Sequence, residues 1–262
     1  MRYYIVDAFA DRLFQGNQAG VCILDTLPED RLMQTIAREN NLAETAFVAP
    51  EGNAYRLRWF TPAVEIELCG HATLAAAYVL FRYDAPSAAA LTFHTLSGVL
   101  TVTQGEDGLL VMDFPLRAQV SVPITDTMRQ AVAGAKILSA YGGYNLMLEL
   151  ADEDAVRTLA PDLSAIRQLP YHGVIVTAPA TDCDFVSRFF APNVGIDEDP
   201  VTGSTHTSLT PYWAARLGKQ TLLARQLSSR GGTLLCTLDE NRVRIAGRAQ
   251  LYLVGEIQQA NA

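Results

Sequence analysis

The chain contains itself twice, and this constrains its fold more than any other feature. One copy of the repeat starts at Phe47 as FVAPEGNAYRLRWFTPAVEIELCGHAT; the other starts at Val176 as VTAPATDCDFVSRFFAPNVGIDEDPVTGSTH. Each carries an Ala-Pro pair, an alternating stretch that reads as a strand, an aromatic pair and a proline. Arg58-Trp59-Phe60-Thr61-Pro62 matches Arg188-Phe189-Phe190-Ala191-Pro192 at an offset of 130, and Gly70 matches Gly203 at an offset of 133. Two similar lobes follow, each of about 130 residues and able to bury its own core. The segment Phe114–Pro123 is the crossing, which divides the chain into residues 1–115 and 116–262. The C-terminal strand, about residues 250–262, is free to rejoin the first lobe.

Both copies lead into a helix. In ELCGHATLAAAYVLF, residues 67–81, good helix formers follow Gly70, and the run is apolar nearly all round, which implies burial. It is far shorter than the roughly 20 residues that cross a bilayer. Its partner runs from Gly203 to Leu217 and stops at Gly218, with Pro211 expected to kink it. A buried helix start presents free N–H groups and the positive end of the macrodipole, so an anion is the natural occupant at Gly70 and at Gly203; the plain alternative at Gly70 is a cap by Thr73 or a nearby group, with Cys69 and His71 simply packed. Lobes facing each other about a pseudo-twofold axis would bring both starts to one interlobe cleft, gripping a small acid from two sides. Elsewhere the first half predicts strands at Tyr3–Phe9, Gly20–Leu24, Thr45–Ala49 and Tyr55–Thr61, and a helix over Pro28–Asn40 with proline at N1. The second half predicts strands near Asn145–Leu150, Val174–Ala178 and Asp184–Phe190.

Charge and cysteine usage narrow the function. A net charge of −8 and a pI near 5.0 argue against binding nucleic acid or an anionic membrane. The amino terminus meets Asp7, Asp11 and Arg12 too early to hold a secretory apolar segment. Cys22, Cys69, Cys183 and Cys236 are widely spaced and read as reduced thiols of a cytoplasmic protein. With four histidines and no HExxH spacing, no metal site is expected. There is no GxSxG elbow, GxGxxG or P-loop.

Chemistry belongs where the copies differ. Glu44, in NNLAETAFV, corresponds at an offset of 129 to Gly173, which has no carboxylate. Apolar strand-end surroundings disfavour the charged form of a carboxyl, which suits Glu44 to general acid–base work; a solvent-facing strand end is the plain alternative. In DEDPVTGSTH, Asp199 caps or orients the loop before the second helix, and Gly203 and Ser204 offer N–H groups and a hydroxyl. Asp197 and Glu198 read as solvated. Cys69 stands at a helix N-terminus, where a thiolate can be activated, but the second copy has Thr202 there, so a two-thiol mechanism lacks its second thiol. His71 and His206 occupy first helical turns, and His94 and His172 have no partner legible in the sequence.

DAFADRLFQGNQAGVCIL, NNLAETAFV, FTPAVEIELCGHATLAAAYVL and DEDPVTGSTH together resemble the PhzF-like phenazine-biosynthesis family, which is built on the diaminopimelate epimerase fold. The resemblance covers nearly the whole chain. It implies an α+β fold of two pseudo-symmetric lobes, each a curved, mostly antiparallel sheet around a central helix. It also implies a cytoplasmic, homodimeric isomerase or epimerase that moves a proton on a small carboxylate-bearing metabolite without a cofactor. By motif, Glu44 corresponds to the acid/base, His71 and Asp199 to its catalytic partners, and Gly70, Gly203 and Ser204 to substrate-binding positions. Two positions depart from the family pattern: Gln18 follows Asn17 where proline is common, and Ala43 precedes Glu44 where serine is common. The competing functions are a non-catalytic carboxylate-binding protein on the same fold and a thiol-dependent racemase using Cys69.

Overall fold

In the computed structural model, which describes residues 1–258, the chain starts with β1 (Arg2–Ala8), β2 (Asn17–Ile23), α1 (Asp30–Asn40), β3 (Glu44–Glu51) and β4 (Ala54–Phe60). Next come β5 (Glu65–Ile66), α2 (Gly70–Tyr83), β6 (Ala90–Thr95), β7 (Gly98–Gln104) and β8 (Leu110–Pro115). The middle of the chain holds β9 (Val120–Ser121), α3 (Asp126–Ala131), β10 (Ile137–Gly142), β11 (Leu146–Leu150), α4 (Glu153–Arg157) and α5 (Leu163–Arg167). There follow β12 (Val174–Pro179), β13 (Phe185–Ala191), β14 (Ile196–Asp199), α6 (Gly203–Leu217), β15 (Thr221–Gln226), β16 (Gly232–Asp239), β17 (Arg242–Gly247) and β18 (Ala249–Glu256). Two units result: residues 1–113 with the chain from Ala246 onward, and Phe114–Ile245.

The units share a strand grammar. In the first, β1 pairs antiparallel with β18 and β2, β2 runs parallel to β3, β3 antiparallel to β4, β4 parallel to β6, and β6 antiparallel to β7. In the second, β10 is antiparallel to β11, β11 parallel to β12, β12 antiparallel to β13, β13 parallel to β15, and β15 antiparallel to β16. Each parallel step is crossed by helix: α1 and α2 in the first unit, α4–α5 and α6 in the second. Register repeats as well, since Thr45 faces Phe60 as Val174 faces Phe190.

Strand alternation sorts the side chains. In the first unit Cys22, Phe47 and Phe60 pack with Met33, Ile36 and Ala37 of α1. The alternate positions face α2, which packs against β1, β2 and β3 and is buried at every position from His71 to Ala77. Leu74 and Leu80 are fully buried, each worth about 1.5–3 kcal/mol relative to exposure. In the second unit, Leu146, Leu148 and Leu150 pack with α3, α4 and α5 on one face. Among the described residues no helix is long and apolar enough to cross a membrane.

One local expectation is revised. Pro28 is not at N1: α1 begins at Asp30, after an extended Glu29. The later start places Asp30 in the first turn, where its charge favours the macrodipole and meets Arg58 Nη1 at 2.6 Å. Pro211 lies inside α6 without ending it. It cannot donate to Thr207 O, and the backbone N–H of Arg117, in the segment after β8, fills that acceptor at 3.3 Å.

Candidate active site

The first unit assembles a buried polar cluster at the start of α2. Gly16 turns the chain into β2; its φ is +70°, and a Cβ there would sit 2.1 Å from Ala8 O, so only glycine fits. Asn17 follows, and β2 runs parallel to β3 with Ala19 opposite Glu44. Thr45 points toward α1, accepting from Asn40 Nδ2 at 3.3 Å, so Glu44 points to the opposite face, where α2 begins. His71 Nε2 lies 2.9 Å from Glu44 Oε2, with each side chain about 7% exposed. The contact is close but poorly aligned: both atoms are buried and neither has a hydrogen-bond partner among the described residues. On the other ring nitrogen, Asn17 Nδ2 stands 3.2 Å and Cys69 Sγ 3.5 Å from His71 Nδ1.

The electrostatics favour a charged imidazole. Burial pulls His71 down, but negative charge at Cys69 and Glu44, with their contacts to the ring, holds it well above the usual histidine range. Burial first, and the Glu44 charge second, push the Cys69 thiol up. The unit therefore sets the His71 ring beside the Glu44 carboxyl group, with one unpartnered atom on each among the described residues. Glu44, Cys69 and His71 also hold donor atoms within 4.8 Å of one another. Cys69 and Glu44 meet opposite ring nitrogens, however, and one ion takes only one of these, so the set is arranged as a relay rather than a chelate.

Neither long buried helix has a side-chain cap. Cys69 and Thr202 are the N-cap residues of α2 and α6, neither makes a capping hydrogen bond, and neither first turn contains an acid. Thr73 Oγ1 donates back to Cys69 O, and His206 Nδ1 lies 2.8 Å from Thr202 O, the same i−4 contact in both copies. Thr73 therefore does not cap α2. Gly70 and Gly203 are the first helical residues and Ser204 follows in the first turn of α6. Asp199 ends β14 and accepts from Thr202 Oγ1, while Gln226 braces the same turn through Asp199 O at 2.8 Å and Thr202 N at 2.9 Å. Asp199 thus orients the loop into α6 within the second unit.

The approaches to both helices are tied alike. Arg58 grips Glu65 with Nε and Nη2, each at 2.7 Å; Arg188 grips Glu198 at 2.7 and 3.0 Å. Glu198 is therefore paired, not solvated as its sequence setting implied. His94 and His172 also have partners: Glu51 at 2.5 Å, and Asn145 at 3.3 Å with Tyr144 stacked at 4.6 Å.

The family model for phenazine biosynthesis-like proteins matches residues 6–255. The chain belongs to the PhzF-like family. An uncharacterized isomerase of Pseudomonas aeruginosa is 52% identical over 260 residues, covering 98% of both chains. A crystal structure of a PhzF-family protein from Enterococcus faecalis superposes with a TM-score of 0.96 at 49% identity, covering 98% of this chain and 99% of that one. The fold alone extends to a hydroxyproline epimerase of Agrobacterium vitis, at 12% identity and a TM-score of 0.60, covering 97% of this chain and 91% of that one. The PhzF-like chain thus has an epimerase-type α+β fold. The residue that motif reading undervalued is Asn17: the Gly16-Asn17 turn was legible, but its pairing with His71, 54 positions away, was not.

Proposed function

We propose that this PhzF-like protein is a cofactor-independent isomerase or epimerase that moves a proton on a small carboxylate-bearing metabolite, with Glu44 as the general acid/base. The observation that carries the reading is the buried Glu44–His71 pair, whose facing oxygen and nitrogen lack hydrogen-bond partners among the described residues. Leaving both unsatisfied costs free energy, as expected where a substrate supplies the missing partners. The isomerase description of the Pseudomonas aeruginosa relative agrees with proton transfer. In this mechanism the Glu44 carboxylate removes a proton from a carbon next to a carbonyl or carboxylate and returns it to another face or position. The His71 imidazolium stabilises the negative charge that appears meanwhile. Asn17 and Cys69 flank the far ring nitrogen. Uncapped first turns at Gly70 and at Gly203–Ser204 are suited to carboxylate oxygens, and Asp199 takes the family's role in holding the substrate.

The test is isotopic. Protein incubated in D₂O with a mixture of small carboxylic acid metabolites should add deuterium to one of them, read by mass spectrometry. Glu44→Gln should slow incorporation by at least about 10²–10⁴-fold. Cys69→Ala should keep most of it. Binding of a carboxylate without exchange would leave a binding protein, and a thousandfold loss in Cys69→Ala would shift the chemistry to the thiol.

A further inference from the structure

The two copies differ at a second position coupled to the first. Where the first unit has Glu44 and Trp59, the second has Gly173 and Phe189. The register is equivalent, with Ala46 opposite Trp59 and Ile175 opposite Phe189. In the second unit the aromatic ring lies against the glycine: a Cβ on Gly173 would stand 2.5 Å from Phe189 Cε2 and 2.6 Å from Cζ. The same register puts Trp59 on the face of the sheet that carries Glu44, diagonally across the β3–β4 pair. Phe47 and Phe60 meet edge-on on the α1 face, with ring centroids 5.6 Å apart, so Glu44, Ala46 and Trp59 share the opposite face, where His71 lies.

Trp59 is 1% exposed, and its Nε1 is buried with no hydrogen-bond partner among the described residues. Buried indoles ordinarily find an acceptor. Trp213 in the second unit does so, donating to Thr177 Oγ1 at 2.9 Å. In the first unit three residues on this face of the sheet therefore each have a buried polar atom without a hydrogen-bond partner among the described residues: Glu44 Oε2, His71 Nε2 and Trp59 Nε1.

We propose that Trp59 is a substrate-binding residue whose indole N–H donates to the carbonyl or carboxylate oxygen adjacent to the carbon that Glu44 deprotonates. This rests on the proton-transfer reading above. When Glu44 takes the proton, the C–H electron pair moves into the bond to the neighbouring carbon and charge accumulates on that oxygen. The oxygen then accepts from Trp59. Return of the proton from Glu44 restores the carboxylate, so no oxidant or co-reactant is consumed. The second unit, with phenylalanine and glycine, supplies neither the donor nor the base.

The chain has two tryptophans, so a ¹⁵N-labelled sample gives two indole N–H resonances, assigned with Trp213→Phe. The probe is acetate, titrated to saturation, with benzoate as a larger carboxylate. The expected result is a downfield shift of the Trp59 resonance while that of Trp213, already bonded, stays fixed. Trp59→Phe keeps the ring but removes the donor, and should weaken acetate binding about tenfold or more, as loss of a hydrogen bond to a charged group does. A Trp59 resonance that stays still at saturating acetate, or unchanged affinity in Trp59→Phe, overturns the proposal. The Glu44→Gln exchange assay is separate: full exchange in that variant with a moving Trp59 resonance removes the base and keeps the donor. Lost exchange with a still Trp59 resonance does the reverse.

Discussion

At the scale of single residues, two buried histidines set opposite limits on stability. His206 donates from Nδ1 to Thr202 O, and burial depresses it from 6.5 to about 4. The unfolded chain therefore binds that proton first, and stability is lost as pH falls from 6.5 toward 4, by on the order of 3 kcal/mol when fully developed. His71 is raised, so its contribution is complete below 6.5 and is lost as pH climbs through its folded-state value. Urea unfolding at a series of pH values should show a maximum near neutrality. His206→Gln should flatten the acid limb and His71→Gln the alkaline limb; an acid limb unchanged in His206→Gln would refute the assignment. None of this was legible in the sequence. His71 and His206 stand at nearly matching places in the two copies, and only their neighbours, Glu44 and Cys69 for one and Phe185 for the other, separate their behaviour.

At the scale of elements, the short helices are capped and the long buried ones are not. Thr125 caps α3, Asp152 caps α4, and Asp162 caps α5 through the N–H groups of Ser164 and Ala165 at 2.9 and 3.0 Å. A helix of five or six residues has little else to hold its first turn. Asp162→Ala should therefore cost about 0.5–2 kcal/mol in thermal or urea unfolding, without affecting proton exchange. A stability change below a few tenths would mean that core packing alone fixes α5. The long helices were readable because apolar runs, Gly70 and Gly203, and the Gly218 stop mark them. Strands β10 and β15 leave little signal in the sequence, because Ile137–Gly142 and Thr221–Gln226 are short and alternate weakly. Their pairing is decided by neighbours far along the chain. Glu198 reads as solvated for the same reason: its acidic sequence neighbourhood hides Arg188, ten residues earlier and across a strand pair.

At the scale of the whole molecule, duplication explains both the shared framework and the one-sided chemistry. The repeated strand register and helix starts follow from motifs visible in the sequence, whereas the Arg–Glu clamps emerge only from the strand pairing. Why the second copy has no base follows from packing. Its counterpart of Glu44 is Gly173, and the space a side chain would need is occupied by the Phe189 ring and by Phe190 O, 2.8 Å from a Cβ placed there. A ring can shift, but a backbone carbonyl held in the β12–β13 ladder cannot shift without breaking pairs. Gly173→Ala should therefore destabilise the protein by about 1–3 kcal/mol, the usual cost of overpacking. Adding Phe189→Leu should recover part of that loss, because the closest clash is with the ring and the remainder is with backbone. The measurement is a double-mutant cycle in urea. Additive effects would mean that ring and glycine are not coupled, and the paired exchange of Gly with Phe for Glu with Trp would lose its steric basis.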